Sequence, residues 1–496
     1  MSTAKRGLSL AVVAAFALTL AACGTQSTTT TPTPDTAETI QNSAEEHELV
    51  LSDDGISLDR ITISEEDPGD VTVSHDIVYY EAGQGSDYGE GGADDEHGAD
   101  EAAAHTVVTI RTAGTYRVSG TLSQGQLAVD LGEEAKDDPE AVVTLILDGV
   151  SVTCTVAPAL IFYNVYECSS ADEETASWEV DTSAAGANVI IADGSENNFT
   201  GSYVARIYEE GTTDKLHKYD GAFYSKMSMN ISGETHGDGV LNIVGENEGL
   251  DTEMHLTING GVINIESGND GINANEDNVS VTTINGGTVN INAGLGSEGD
   301  GIDSNGWLVI NGGYVFASAN STSGDSGMDA TLDIVINGGT AIGTGSMLDA
   351  ISEESQQQYL ALRVDAAAVS EDSEVELTDA EGSVLFSFTA PKAAQCLLLS
   401  SEDLSSDGDY TLIVNGEVCQ TSDESAGAPP DMGRGNMQMM EIPSGLGEWL
   451  STATDVPDEI RTWLEGLIEQ QNNAPGGPGG EMPMEPGQEL PQEPNI

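Results

Sequence analysis

The tetrapeptide Ile-Asn-Gly-Gly occurs four times, beginning at Ile258, Ile284, Ile310 and Ile336, each copy 26 residues after the last. A near copy, Ile231-Ser232-Gly233, begins 27 residues before the first. A fixed period in this range marks one supersecondary unit stacked on the next. Helical repeats would need apolar residues at i, i+3, i+4 and i+7. This stretch alternates instead, with Val262, Ile263 and Ile265 after one glycine pair and Val289 and Ile291 after the next. The turns are Asn-Gly and Gly-Gly, and no proline occurs from residue 159 through 390. Three short strands and three turns fit such a unit, whereas a β-propeller blade needs about 40–45 residues. The expected fold is all-β: a right-handed parallel β-helix whose coils pair at roughly 4.8 Å, with a small C-terminal β unit and a short C-terminal helix.

Within each repeat the glycines suit a recurring corner with φ > 0. The asparagines suit a ladder of amides hydrogen-bonded along the stack. Both are structural roles. A second motif carries charge: Glu248-Gly249-Leu250-Asp251, Asp270-Gly271-Ile272-Asn273, Asp300-Gly301-Ile302-Asp303 and Ser326-Gly327-Met328-Asp329. Degenerate copies are Asp220-Gly221-Ala222-Phe223 and Ser346-Met347-Leu348-Asp349. If the apolar residue points inward, the last positions stack Asp251, Asn273, Asp303, Asp329 and Asp349, and the first stack Asp220, Glu248, Asp270 and Asp300. Carboxylates so stacked sit roughly 5 Å apart, and each unscreened pair costs ~3 kcal/mol at an effective dielectric of about 20. No lysine or arginine lies between residues 227 and 362 to relieve this. Raised pKa values, outward splay or a bound cation must do so. Oxygen ligands at this density suit Ca²⁺, which takes 6–8 of them in flexible geometry. The competing reading is a solvated acidic face with turn-forming Asp-Gly pairs. No EF-hand loop is present, and the nonapeptide calcium repeat is far too short to match.

The whole chain has 496 residues, with 85 acidic against 14 basic and a formal charge of −71. That charge excludes nucleic acid and an anionic lipid surface as direct partners. Residues 1–22 read as a lipoprotein signal peptide: Lys5 and Arg6 precede an apolar run that is too short to span a bilayer and ends in Leu20-Ala21-Ala22-Cys23. This resembles a bacterial lipobox. Cys23 would then be lipidated, holding the protein to the membrane through acyl chains alone, on the extracellular face of the cell. Residues 23–46 form a Thr/Pro-rich linker. Residues 47–104 are acidic, with a disordered insertion expected over residues 81–104. Residues 105–358 hold the β-helix, early coils being less regular and interrupted near residues 169–187. Residues 359–421 lose the period and read as a β unit capping the solenoid. Residues 422–496 are a Gly/Pro/Met-rich tail with one amphipathic helix, starting near Pro457. The four remaining cysteines fall into two close pairs, predicting Cys154–Cys168 and Cys396–Cys419 bridges in an exported protein.

Asp148-Gly149-Val150-Ser151-Val152, Ala192-Asp193-Gly194-Ser195-Glu196-Asn197, Asp220-Gly221-Ala222-Phe223-Tyr224-Ser225-Lys226 and the Asp-Gly-Ile units resemble the bacterial calcium-dependent carbohydrate-binding β-helix family. These surface proteins are similar in fold to pectate lyases, nearest the family 9 polysaccharide lyases. The resemblance covers about residues 105–420. It implies Asp251, Asp270, Asn273, Asp300, Asp303 and Asp329 as calcium ligands and plant polysaccharide as partner. The chain departs from the pattern in its acidity and its few lysines.

A lyase of this kind needs a basic residue to take the proton beside a uronate carboxyl. The regular coils hold none. Lys215, Lys218 and Lys226 lie just upstream, Lys226 being the one candidate base, and solvated loop lysines are the simpler reading. No residue is assigned a catalytic role. Trp307, followed by Tyr314 and Phe316, is the one candidate sugar platform, with packing an equal alternative. The expectation is calcium-dependent binding of extracellular pectin-like or cellulosic polysaccharide by a monomeric, lipid-anchored surface protein. A calcium-assisted polysaccharide lyase is the alternative.

Overall fold

The computed structural model describes residues 46–65, 68–365 and 367–423. The signal peptide, Cys23, most of the linker and the C-terminal helix lie outside them. The described chain is nearly all β; its helical elements are one four-residue α-helix, Ala99–Ala102, and one 3-10 turn, Glu133–Asp137. No sheet closes into a barrel.

Strands one repeat apart pair in parallel, along three tracks. The first runs through Ala187–Ile191, Met229–Gly233, Leu256–Ile258, Val281–Ile284, Trp307–Ile310 and Asp333–Ile336. The second runs through Glu196–Gly201, Val240–Gly245, Val262–Ser267, Thr288–Asn292, Tyr314–Ser318 and Thr340–Gly345. The third, in a separate sheet, carries Leu160–Asn164, Gly221–Ser225, Glu248–Thr252, Ile272–Ala274 and Ile302–Ser304.

The motif residues explain the pairing. Ile258, Ile284, Ile310 and Ile336 are fully buried, each contributing roughly 1.5–3 kcal/mol. The second glycine of each pair has φ of +92, +89, +83 and +83° at Gly261, Gly287, Gly313 and Gly339. A Cβ on Gly287 would meet Gly261 O at 2.7 Å, so both conformation and packing require glycine. Asn285, Asn311 and Asn337 each donate from Nδ2 to Oδ1 of the preceding asparagine at 2.9 Å. A second ladder, through Asn198, Asn242, Asn264 and Asn290, repeats that distance on the second track.

The ends are closed by antiparallel pairing. Cys396–Ser400 runs against Thr340–Gly345, occupying the edge of the second track. Val384–Thr389, Glu374–Asp379, Tyr410–Val414 and Glu417–Val418 make a separate four-stranded sheet with its own core.

Two expectations fail here. Residues 81–104 are ordered: Glu81 bridges His97, Gly89 bridges Ile207, and Ala102 is buried. Their acidic side chains find partners, Glu90 with Arg206 and Asp95 with the Tyr203 hydroxyl, so composition alone misjudged them. The two disulfides are absent. Cys154 lies buried opposite Gly201. Cys168 lies beyond Leu160–Asn164, in a loop where its Sγ meets Asp181 O at 3.9 Å. Cys396 Sγ donates to Ser346 O at 3.4 Å, while Cys419 is a free thiol past the last strand of the small sheet. In each pair one cysteine lies on a strand and the other outside the strands, so closeness in sequence did not bring the sulfurs together.

Candidate functional site

Parallel pairing places Asp251 beside Asn273 and Asn273 beside Asp303, with Ile302 bridging Met328 so that Asp329 follows. The inward Leu250, Ile272, Ile302 and Met328 are all buried. The register therefore follows the Asp-Gly-Ile units across four repeats. It slips by one at each end. Phe223, not Ala222, pairs with Leu250, which sets Tyr224 beside Asp251. Ser326 bridges Met347 rather than Ser346, although Asp349 still accepts Ala330 N–H at 3.1 Å.

Asp220, Glu248 and Asp251 nonetheless converge. Each offers an oxygen within 4.8 Å of the others, the one such acidic grouping among the described residues, and all three are buried. Lys218 Nζ meets Asp220 Oδ2 at 2.5 Å. Asn273 Nδ2 donates to Glu248 Oε1 at 3.2 Å and Asn275 Nδ2 to Asp251 Oδ1 at 2.7 Å. Three buried oxygens remain without a partner: Glu248 Oε2, Asp251 Oδ2 and Asn273 Oδ1. Burial, followed by neighbouring carboxylate charge, pushes Glu248 and Asp251 well above the usual carboxylate range. With all three ionised, three carboxylates against one ammonium would leave two negative charges in excess, the charge of one divalent ion.

The remaining predicted ligands form a looser row. Asp270 Oδ1 accepts Asp300 N–H at 2.6 Å, and Asp300 Oδ1 accepts Ser326 N–H at 2.6 Å, so these two carboxylates also tie successive repeats together. Burial raises Asp270 and Asp329 to about 7, Asp300 to about 9 and Asp303 to about 6. Burial raises Asp349 and Asp220 as well.

Other predicted residues sit elsewhere. Trp307 packs with Val281, Val309, Val335, Trp178 and Val180 on the first track, away from the acidic sheet. Tyr314 and Phe316 pack against the core of the C-terminal unit, the Phe316 and Phe388 ring centres lying 5.5 Å apart. Lys226 makes no ion pair with a described residue; Lys218 is the lysine that meets the cluster. Asn275 and Glu253 went unremarked in the sequence. Each lies two residues beyond a column position, and strand alternation could have found them. Glu253 pairs with Lys215 at 3.0 Å and with the Tyr224 hydroxyl.

Comparison with known proteins adds a family. Residues 104–384, more than half of the chain, match the model of the carbohydrate-binding domain-containing protein family. No curated protein matches. Among solved structures, the chain is similar to the polysaccharide lyase-like protein from C. thermocellum, determined as a gadolinium derivative. That similarity has 20% identity over 62% of this chain and 97% of that one, with a TM-score of 0.35. At that distance the likeness assigns neither site nor function.

Proposed function

Because the chain belongs to the carbohydrate-binding domain-containing protein family, we propose that it binds extracellular polysaccharide in a calcium-dependent manner. We further propose that its three tracks wind as a right-handed parallel β-helix and that Cys23 anchors it, as a monomer, to the outer face of a bacterial membrane. No helix among the described residues is long and apolar enough to cross a membrane.

One observation carries the calcium reading. Glu248 Oε2, Asp251 Oδ2 and Asn273 Oδ1 are buried without partners, and buried polar atoms are almost always satisfied. All three are hard oxygen donors on adjacent repeats, which fits Ca²⁺. Asp220, Glu248, Asp251 and Asn273 would hold the ion, which would supply the positive charge the cluster lacks. Asp270, Asp300, Asp303, Asp329 and Asp349 are the further candidates, with Asp270, Asp300 and Asp349 already engaged by backbone N–H groups.

The lyase alternative has less support. Burial works to lower the Lys218 pKa, but Asp220, with Glu248 and Asp251 behind it, raises it overall, and a lysine held protonated is a poor base. Burial brings Lys392 down to about 8, yet its Nζ donates to the carbonyls of Ala293 and Ser318.

Metal analysis of the purified protein, thermal melting with and without chelator, and retention on pectin and cellulose test this reading. Bound calcium, a chelator-sensitive melt and chelator-sensitive retention are expected. A metal-free protein with an unchanged melt removes the calcium claim, and no retention on either polymer removes the binding claim. Steady release of unsaturated product from polygalacturonate would establish the lyase instead.

A further inference from the structure

On the first track, away from the acidic cluster, the returning loop of residues 178–183 and the sheet enclose a groove of about 500 Å³. Its floor is two adjacent columns. Asn230, Thr257, Thr283 and Val309 occupy one, set side by side by the parallel register. Asn259, Asn285 and Asn311 occupy the other, as the exposed amide ladder. A primary amide has two N–H groups and two acceptor lone pairs. The ladder uses one N–H and one lone pair of Asn285, leaving one of each for a ligand.

The wall is built, not merely adjacent. Thr182, itself buried, has its Oγ1 2.7 Å from both Asn230 Oδ1 and Thr257 Oγ1, and Asn230 Nδ2 donates to Thr182 O at 2.8 Å. Trp178 lines the groove with Val309, and its Nε1 donates to Glu354 Oε2 at 3.2 Å. A partly exposed indole beside rows of amides and hydroxyls is the chemistry that recognises a sugar: an apolar ring face, with hydrogen-bond groups around it.

Charge and spacing choose among sugars. Glu179 and Asp181 stand on the wall, and no lysine or arginine lies anywhere between residues 227 and 362. A uronate chain would be repelled here without a cation; an uncharged chain would not. The floor repeats at roughly the 4.8 Å strand spacing, close to the length of one pyranose unit in an extended chain. A glycan lying along the stack would therefore meet an equivalent amide at Asn259, Asn285 and Asn311, with the Thr283 hydroxyl beside them.

We propose that this groove is the glycan site and that it takes an extended, uncharged polysaccharide chain. This rests on the carbohydrate-binding reading above and narrows it to neutral chains, held on a sheet separate from the acidic cluster.

Calorimetric titration of the full chain with cellohexaose, and with a galacturonate hexamer, in calcium, tests the assignment. Wild type is expected to bind cellohexaose in preference. Trp178→Ala should weaken that binding about tenfold or more, as loss of an aromatic contact with its buried area implies. Thr283→Trp, which fills the floor, should abolish it, with the melting temperature of each variant as the folding control. Independently of any variant, cellohexaose should protect the Trp178 peptide of the wild-type protein from oxidation by N-bromosuccinimide. Undiminished cellohexaose binding by both variants, or no protection of Trp178 in a protein that binds, overturns the groove while leaving polysaccharide binding standing. A wild-type protein that binds neither oligosaccharide nor either polymer overturns both.

Discussion

Asn275 Nδ2 donates to one oxygen of Asp251 at 2.7 Å, while the other oxygen of that fully buried carboxylate has no partner. An ionised carboxylate in that position costs several kcal/mol unless it is paired. The side chain is thus either protonated or bound to a cation, and the two states predict different behaviour.

With free calcium about a hundredfold above its dissociation constant, the wild-type protein should gain about 2.7 kcal/mol of stability. Asp251→Asn should lose most of that gain yet be about as stable as wild type in chelator, because without a cation the buried carboxyl is held protonated and the amide replaces one neutral group with another of the same shape. Scanning fluorimetry in calcium and in chelator reads both. A calcium response equal to that of wild type would take Asp251 out of the site.

Gly287→Ala should destabilise the protein by about 1–3 kcal/mol. It forces φ of +89° on an L-residue and sets a Cβ 2.7 Å from Gly261 O. Gly324→Ala, with open space around its Cβ, is the control and should change stability little. Urea midpoints measure the difference; equal midpoints would show that the repeat corner tolerates a side chain.

His255 should make stability fall on acidification. Its Nδ1 accepts Val281 N–H at 3.0 Å, and its Nε2 lies 2.9 Å from the Ser169 hydroxyl, so the ring is neutral. Burial lowers its pKa to about 4, below the ordinary value near 6.5. Between those values the unfolded chain binds the proton and the folded one does not. The contribution, on the order of 3 kcal/mol at most, is therefore complete above pH ~6.5 and is lost as pH falls toward ~4. Denaturant midpoints from pH 7 to pH 4 should show a shallower acid slope for His255→Gln; an unchanged slope would assign it to other groups.

Reducing agent should leave the melting temperature unchanged, and peptide mapping without reduction should find Cys154 unlinked to Cys168. A Cys154–Cys168 peptide would mean that the loop carrying Cys168 packs differently from its placement beside Asp181.

Part of this was legible along the chain. The 26-residue spacing of Ile258, Ile284, Ile310 and Ile336 predicts which residues stack, because a parallel ladder repeats the same side chain at the same height. The Asp-Gly-Ile units predict Asp251, Asn273 and Asp303 in one row for the same reason. The register failed at Asp220, which the motif aligns with Glu248: Gly221 takes that place and Phe223 the core position opposite Leu250.

What the sequence determined by itself was periodic: an all-β chain, its repeat length, its glycine corners and a column too acidic to stay ionised without relief. Only the tertiary structure decided which of those carboxylates meet, that Lys218 joins them from a strand paired antiparallel with Val204–Tyr208, and that Trp178 crosses to line a groove of asparagines and threonines. The physical reason is range. Strand pairing repeats locally and writes itself into spacing, whereas contacts such as Trp178 with Glu354, or Thr182 with Thr257, join residues 176 and 75 positions apart and leave no period to read.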